Sequence, residues 1–159
     1  MRILLDTNIW LDFYFAARPA HREAEELYSI AKSKGVDLMY AAAAVKDIYF
    51  ILGLSLKRRL RSDGGSLTEK DALAVRAVTW AAVEHLSQEA FAVGTDESDV
   101  WLVCKYRRVH DDFEDDLLIA AAQRSQADYL VTNDEQLIRH SPVPTLSSRD
   151  ALEVLRMLR

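Results

Sequence analysis

Ile3-Leu4-Leu5-Asp6-Thr7-Asn8 places three branched apolar residues directly before a carboxylate and two small hydrogen-bonding residues. Tyr129-Leu130-Val131, followed by Thr132-Asn133-Asp134, repeats that grammar far downstream. Apolar runs of this length read as short buried strands. In open α/β sheets, ligands bind in the crevice beyond the carboxyl ends of the strands. Parallel, neighbouring strands would therefore set Asp6 and Asp134 on one rim. A third acid, Asp47, lies among Val45, Ile48, Phe50, Ile51 and Leu54. An ionised carboxylate buried there costs several kcal/mol unless a positive group satisfies it. Lys46 is adjacent, but neighbours at i,i+1 diverge on a helix. Asp47 is thus either a half-exposed acid on a helix rim or a metal ligand or site acid.

The densest cluster is Asp111, Asp112, Glu114, Asp115 and Asp116, ahead of Leu117-Leu118-Ile119-Ala120-Ala121-Ala122. A helix N-terminus favours acids by about 0.3–1 kcal/mol each, which explains one or two of them and not five. Asp115 shares a helical face with Leu118, Ile119 and Ala122 and is expected to point inward. Asp111, Asp112 and Asp116 are expected to form a solvated cap. Four carboxylates, Asp6, Asp47, Asp115 and Asp134, would then converge and repel one another unless cations are bound. All-oxygen donors select hard ions, Mg²⁺ or Mn²⁺. Because Mg²⁺ takes only one or two carboxylates, four acids suggest one or two ions, as a pair about 3.5–4 Å apart. Such ions serve phosphodiester hydrolysis by activating water and stabilising the leaving oxygen. Thr7, Asn8, Thr132 and Asn133 are placed to orient the acids or bound water.

The basic run Lys57-Arg58-Arg59 with Arg61 has two readings: cations suiting a helix C-terminus, or an edge contacting the phosphates of a nucleic acid. Arg107 and Arg108 share both. His21, His85, His110 and His140 are scattered, with no linking spacing, and Trp10, Trp80 and Trp101 are expected in the core.

The elements that must position these residues alternate between strand and helix. Strands are expected over residues 2–5, 36–40, 90–93, 128–131 and 143–146. Helices are expected over 7–15, 20–34 with Gly35 as its stop, 41–60, 67–86 with Thr68 as cap, 95–106 with Thr95 as cap, 113–126, 135–139 and 147–158. The segment 62–66, Ser-Asp-Gly-Gly-Ser, is the clearest break. This pattern predicts an α/β fold over residues 1–159, with a central, mostly parallel sheet of about four or five strands and helices on both faces. The 159 residues fit one domain, and the 50% hydrophobic content argues against disorder. A net charge of −5 does not advertise nucleic-acid binding and does not exclude it. Cys104 is the only cysteine, which excludes an internal disulfide or a zinc cluster and suits a reducing cytoplasm. The apolar stretch from Leu38 to Leu56 carries Lys46 and Asp47 near its middle, where a bilayer penalises each by about 2.5–3.5 kcal/mol. No membrane span is expected.

On these residues the chain resembles the PIN-domain nucleases, especially the VapC-type toxins of bacterial toxin–antitoxin pairs. Leu4-Leu5-Asp6-Thr7-Asn8 is similar to the family's opening motif. Residues Asp115 to Gln123 are similar to its central helix, which begins with a catalytic acid. Asp128-Tyr129-Leu130-Val131-Thr132-Asn133-Asp134 is similar to its closing strand and final acid. The resemblance implies an endoribonuclease dependent on Mg²⁺ or Mn²⁺, with Asp6, Asp115 and Asp134 as metal-site acids. It also implies a homodimer and a small antitoxin whose C-terminal segment blocks the site. The family's second acid is usually Glu, and Asp47 occupies that position with one methylene less. Two rival functions follow from the residues. One is a PIN-like module that binds RNA or protein without cleaving. The other is an Asp-dependent phosphoryl-transfer protein, against which Asn8 stands where an Asp-x-Asp motif needs its second acid.

Overall fold

The expected strands all form, and they pair only in parallel. The computed structural model describes residues 1–62, 66–108 and 111–158. Five strands are present, β1 (Arg2–Leu5), β2 (Asp37–Ala41), β3 (Phe91–Val93), β4 (Tyr129–Val131) and β5 (Thr145–Leu146), in the order β3-β2-β1-β4-β5. Central β1 pairs Leu4 with Met39 on one side and with Leu130 on the other. Strand side chains alternate between faces, so each face gains its own core. Ile3, Leu5, Leu38, Tyr40 and Val131 pack on one side with Trp10, Leu27, Ile48, Leu86 and Leu152. Leu4, Met39 and Leu130 pack on the other with Leu118, Ile119, Ala122 and Leu137.

The helices are α1 (Thr7–Tyr14), α2 (His21–Ser33), α3 (Ala44–Ser62), α4 (Glu69–Glu89), α5 (Glu97–Tyr106), α6 (Phe113–Arg124), α7 (Glu135–His140) and α8 (Ser148–Met157). Gly35, at φ 64°, stops α2, because the Val36 N–H reaches back to the Ala31 carbonyl at 2.9 Å and the Gly35 N–H to Lys32 at 3.2 Å. Thr68 caps α4 as expected, in a reciprocal capping box with Asp71. Thr95 does not cap α5. Asp96 does, accepting from the Ser98 N–H at 2.8 Å, while Asp99 accepts from the Asp96 N–H at 2.9 Å. A carboxylate is the stronger acceptor at a helix N-terminus, and the register shifts by one residue to use it. Of the expected break, Asp63, Gly64 and Gly65 lie outside the described residues, as does His110.

Trp10 is buried at 1% exposure, but Trp80 and Trp101 are 53% and 63% exposed, contrary to the expectation of core positions. They lie on outward faces of α4 and α5, where the buried stripes run through Val75, Thr79, Ala82 and Leu86 and through Asp99 and Val103. Tyr49 meets the Trp80 ring edgewise at 5.5 Å, and Lys105 Nζ lies 5.3 Å from the Trp101 ring centre. Among the described residues no helix is long and apolar enough to cross a membrane.

Candidate active site

The parallel sheet carries four expected acids to its carboxyl edge. Asp6 and Asp134 follow β1 and β4, which are neighbours. Asp47 lies in the first turn of α3, which follows β2 on the other side of β1. Asp115 reaches the same edge by a different route. The C-terminal end of α6 is fixed at the sheet's amino edge, where Arg2 Nη1 donates to the Ser125 carbonyl at 3.0 Å and the Asp128 N–H to the Arg2 carbonyl at 2.8 Å. The helix therefore runs back across the sheet, and its first turn, with Asp115, faces the opposite rim. Asp112 fixes that turn, its carboxylate accepting from the N–H groups of Glu114 at 3.0 Å and Asp115 at 3.2 Å.

Asp6 and Asp134 are coupled through one side chain. Thr132 is fully buried, and its Oγ1 donates to Asp6 Oδ2 at 2.8 Å while accepting from the Asp134 N–H at 3.1 Å. Asp134 in turn caps α7, accepting from the N–H groups of Gln136 at 2.7 Å and Leu137 at 3.1 Å. Burial raises the Asp6 carboxyl above its ordinary range. Its bond from Thr132 opposes that, as do the N–H groups of Thr7 and Asn8, although neither of these makes a close capping bond to it. The charge of Asp134 then raises it further. The site thus holds a desolvated carboxylate beside a second acid, an arrangement a bound cation would relieve.

The donor set fits a hard cation of the Mg²⁺ type in a specific way. Among the described residues no three acidic, histidine or cysteine side chains lie close enough to hold one ion alone. Mg²⁺ commonly takes one or two carboxylates and completes its shell with water and substrate phosphate, and Asp6 with Asp134 supplies that number. Asp47 and Asp115 stand on the same rim without closing a three-ligand cage. Lys46 Nζ lies 3.5 Å from Asp47 Oδ1. Both side chains sit at a helix start with free surface, so a long lysine reaches its neighbour despite the i,i+1 divergence expected from the sequence.

Two further expectations are revised. Asp116, read as part of the solvated cap, is 1% exposed, whereas Asp115, read as pointing inward, is half-buried. The helix α6 is covered by the sheet on one side and by α5 on another, so its buried face is wide enough to enclose Leu118 through Ala122 and Asp116 as well. Asn133 turns away from the acids. Its Oδ1 accepts from Ser148 N at 3.1 Å and from Ser148 Oγ at 2.8 Å, fastening the start of α8. Asn8 is exposed, and Thr7 is half-buried beside Asp6.

Asp99 and Arg124 belong to no motif in the sequence, yet the fold joins them. Asp99 is buried at 1% exposure, and Arg124 grips it with two bonds, Nε to Oδ1 at 2.9 Å and Nη2 to Oδ2 at 3.1 Å. Arg124 Nη2 also donates to the Gly94 carbonyl. The pair clamps α5 to the last turn of α6 and so sets where Asp115 stands at the other end. Its only sequence signal is an acid at the third position of α5, which reads equally well as a capping acid.

The description "PIN domain" belongs to the family model that matches residues 2–136. The chain belongs to the PIN-domain family. Its PIN fold is shared with solved structures of low sequence identity. Mycobacterium tuberculosis VapC20, described as a sarcin-ricin loop cleaving toxin, is 16% identical, with a TM-score of 0.62, over 86% of this chain and 93% of that one. Rickettsia felis VapBC2, bound to a DNA fragment from its promoter, is 12% identical, with a TM-score of 0.63, over 92% and 98% of the two chains. FitAB bound to a DNA fragment is 14% identical, with a TM-score of 0.57, over 92% and 94%. No curated protein matches the chain. Beyond the matched segment, β5 and α8 complete this PIN domain's sheet and one of its cores.

Proposed function

We propose that this PIN domain is an endoribonuclease dependent on Mg²⁺ or Mn²⁺ and the toxin of a type II toxin–antitoxin pair. The observation that carries this reading is the Asp6–Thr132–Asp134 linkage on the carboxyl rim of a PIN fold. Fold likeness to VapC20, VapBC2 and FitAB adds support for a toxin with a protein partner. In this reading the partner is a small antitoxin whose C-terminal segment covers the rim, and the toxin is a cytoplasmic homodimer.

Asp6 and Asp134 would hold the cation, with Asp115 facing it across the rim and Asp47 lending further charge. Such an ion supplies an acidified water and charge stabilisation at a phosphodiester. The protein's own groups fix the geometry. Thr132 holds the Asp6 carboxylate in one rotamer and ties it to the backbone of Asp134. Asp112 fixes the turn that presents Asp115. Burial strips water from the Asp6 carboxylate, which strengthens its attraction for a cation.

The test is cleavage of a mixed RNA substrate with Mg²⁺ or Mn²⁺, beside an EDTA control and purified Asp115→Asn protein. Cleavage should need both the metal and Asp115. Its loss in the variant should exceed the 10–100-fold that removal of a supporting outer residue costs. Cleavage by folded Asp115→Asn at the wild-type rate would refute the site. The Lys46–Asp47 ion pair favours a second reading, a domain that binds RNA without cutting it, because Lys46 already neutralises the shortened second acid. RNA binding by folded, metal-loaded protein with no turnover would establish that role instead.

A further inference from the structure

One face of α3 is largely left out of the packing of the fold, with Phe50 meeting, among the described aromatic rings, only that of neighbouring Tyr49, edgewise at 5.4 Å. Asp47, Phe50, Leu54, Arg58 and Arg61 follow one another at steps of three, four, four and three residues, which aligns them in a single stripe. The opposite side of the helix is inside. Ile48 and Leu52 are buried, and Gly53 lies against α4, where an added Cβ would meet Thr79 Cγ2 at 3.4 Å. On the outer stripe Phe50 is 59% and Leu54 is 52% exposed, and both arginines are exposed. At 1.5 Å per residue, Phe50 lies about 4.5 Å along the axis from Asp47, and Arg58 and Arg61 about 16 and 21 Å.

The cations at its far end are not explained by the helix itself. The dipole effect is confined to the last turn, which contains Arg59 and Arg61 and leaves Lys57 and Arg58 ahead of it. Among the described residues none of the four forms an ion pair. A chain of net charge −5 has nonetheless placed four cations within five positions.

We propose that this stripe is the track on which single-stranded RNA leaves the acidic rim, with one base stacked on Phe50 and phosphates held by Arg58 and Arg61. It deepens the ribonuclease reading by naming the residues that would hold the substrate strand, and it rests on that reading for the position of the cut. An exposed aromatic ring in line with unpaired cations is the combination that binds single strands, because every base offers a ring face and the backbone offers phosphates at regular intervals. A duplex keeps its bases stacked on one another and has none to give Phe50. The distance from Asp47 to Arg61 corresponds to on the order of six stacked nucleotides at about 3.4 Å each.

The experiment measures equilibrium binding of a fluorescein-labelled 20-nucleotide single-stranded RNA of mixed sequence, and of the same sequence as a duplex, in EDTA and across a salt series. Cleavage in Mg²⁺ is followed separately, so failure of the track and failure of the nuclease reading are told apart. Wild-type protein should prefer the single strand. Phe50→Ala and Phe50→Leu should each weaken it by roughly 5- to 150-fold, the range of one base–aromatic stack, and Phe50→Trp should restore it. Arg58→Gln with Arg61→Gln should lower the slope of log affinity against log salt by about 1.4, at about 0.7 per phosphate. Unchanged affinity and slope in these variants would overturn the proposal, even with cleavage intact. Full binding by Phe50→Leu together with an altered oligomeric state in Phe50→Ala would also overturn it, assigning the stripe to a protein contact. Binding that follows these shifts in a protein that never cleaves would uphold the track and refute the nuclease reading alone.

Discussion

Thr132→Val is nearly isosteric and removes both side-chain bonds of the residue that joins the two candidate metal acids. Thr132 has no solvent exposure, so water cannot replace what is lost. The bond to Asp6 Oδ2, 2.8 Å long, has a charged acceptor and is of the type worth about 1.5–3 kcal/mol. The Asp134 N–H, 3.1 Å from Oγ1, loses its acceptor at a cost near the lower end of about 1–3 kcal/mol, because Asp134 is exposed. The sum is about 3 kcal/mol. In a chain of this length each kcal/mol moves the melting temperature by about 2–4 °C, giving a fall of about 6–12 °C. The bond from Thr132 lowers the Asp6 pKa, so its removal raises that pKa further. Stability that depends on an ionised Asp6 is present above the Asp6 pKa and lost as pH falls through it. The deficit of Thr132→Val should therefore be largest at neutral pH and shrink toward pH 4. Thr132→Ser keeps the hydroxyl and loses a buried methyl, worth about 1 kcal/mol, with no pH dependence. Thermal unfolding of the three metal-free proteins from pH 4 to 8 is the assay. A Thr132→Val deficit under 2 °C, or one equal at all pH values, would refute the reasoning.

Asp6→Asn should behave in the opposite sense in metal-free protein. Burial raises the folded pKa of Asp6 above its ordinary value of 3.8, so the stability of the wild type is full below that pH and falls as pH rises through the folded pKa. The variant should melt higher than wild type at pH 7, and its advantage should vanish near pH 4. It should also lose the metal response: Mg²⁺ or Mn²⁺ at about a hundred times its dissociation constant stabilises a binding-competent fold by about 2.7 kcal/mol, or about 5–11 °C. Scanning calorimetry with and without metal checks both. Arg124→Met leaves the buried Asp99 carboxylate without its partner, at about 3 kcal/mol, the low end for a broken buried pair because Arg124 is partly exposed. Cleavage should fall along with the melting temperature, since the clamp sets α6 and Asp115. Gln126 ends α6 at φ 54°, a conformation that costs a side-chain-bearing residue about 1–2 kcal/mol. Gln126→Gly should raise the melting temperature by about 2–4 °C and leave cleavage unchanged.

Much of this arrangement can be read from residue order. Branched apolar runs ending in Thr, Asn and Asp identify β1 and β4, and alternation with helices requires parallel strands whose carboxyl ends share an edge. Asp6, Asp47 and Asp134 thus reach one rim by local pattern and connectivity, whereas Asp115 reaches it only through the docking of α6. Capping chemistry is equally local where a single candidate exists, as at Thr68, and ambiguous where two stand together, as at Thr95 and Asp96.

What surrounds a residue was decided only by tertiary packing. Periodicity gives each helix one inward face, and it assigned Asp115 to the interior. The helix α6 touches both the sheet and α5, so Asp116 is the acid enclosed. Nothing in the residue order couples Asn133 to Ser148 or Asp99 to Arg124, because the partners are 15 and 25 positions apart and meet only once α8 and α6 have docked. Trp80 and Trp101 carry the composition of a core and lie mostly outside it because they stand off the buried stripes of α4 and α5, Trp80 meeting only the edge of Tyr49 among the described aromatic rings. The sequence by itself determined that Asp6, Asp47 and Asp134 follow the carboxyl ends of parallel strands. The tertiary structure decided which of them touch, which are dry, and that Thr132, rather than Asn133, holds the acids together.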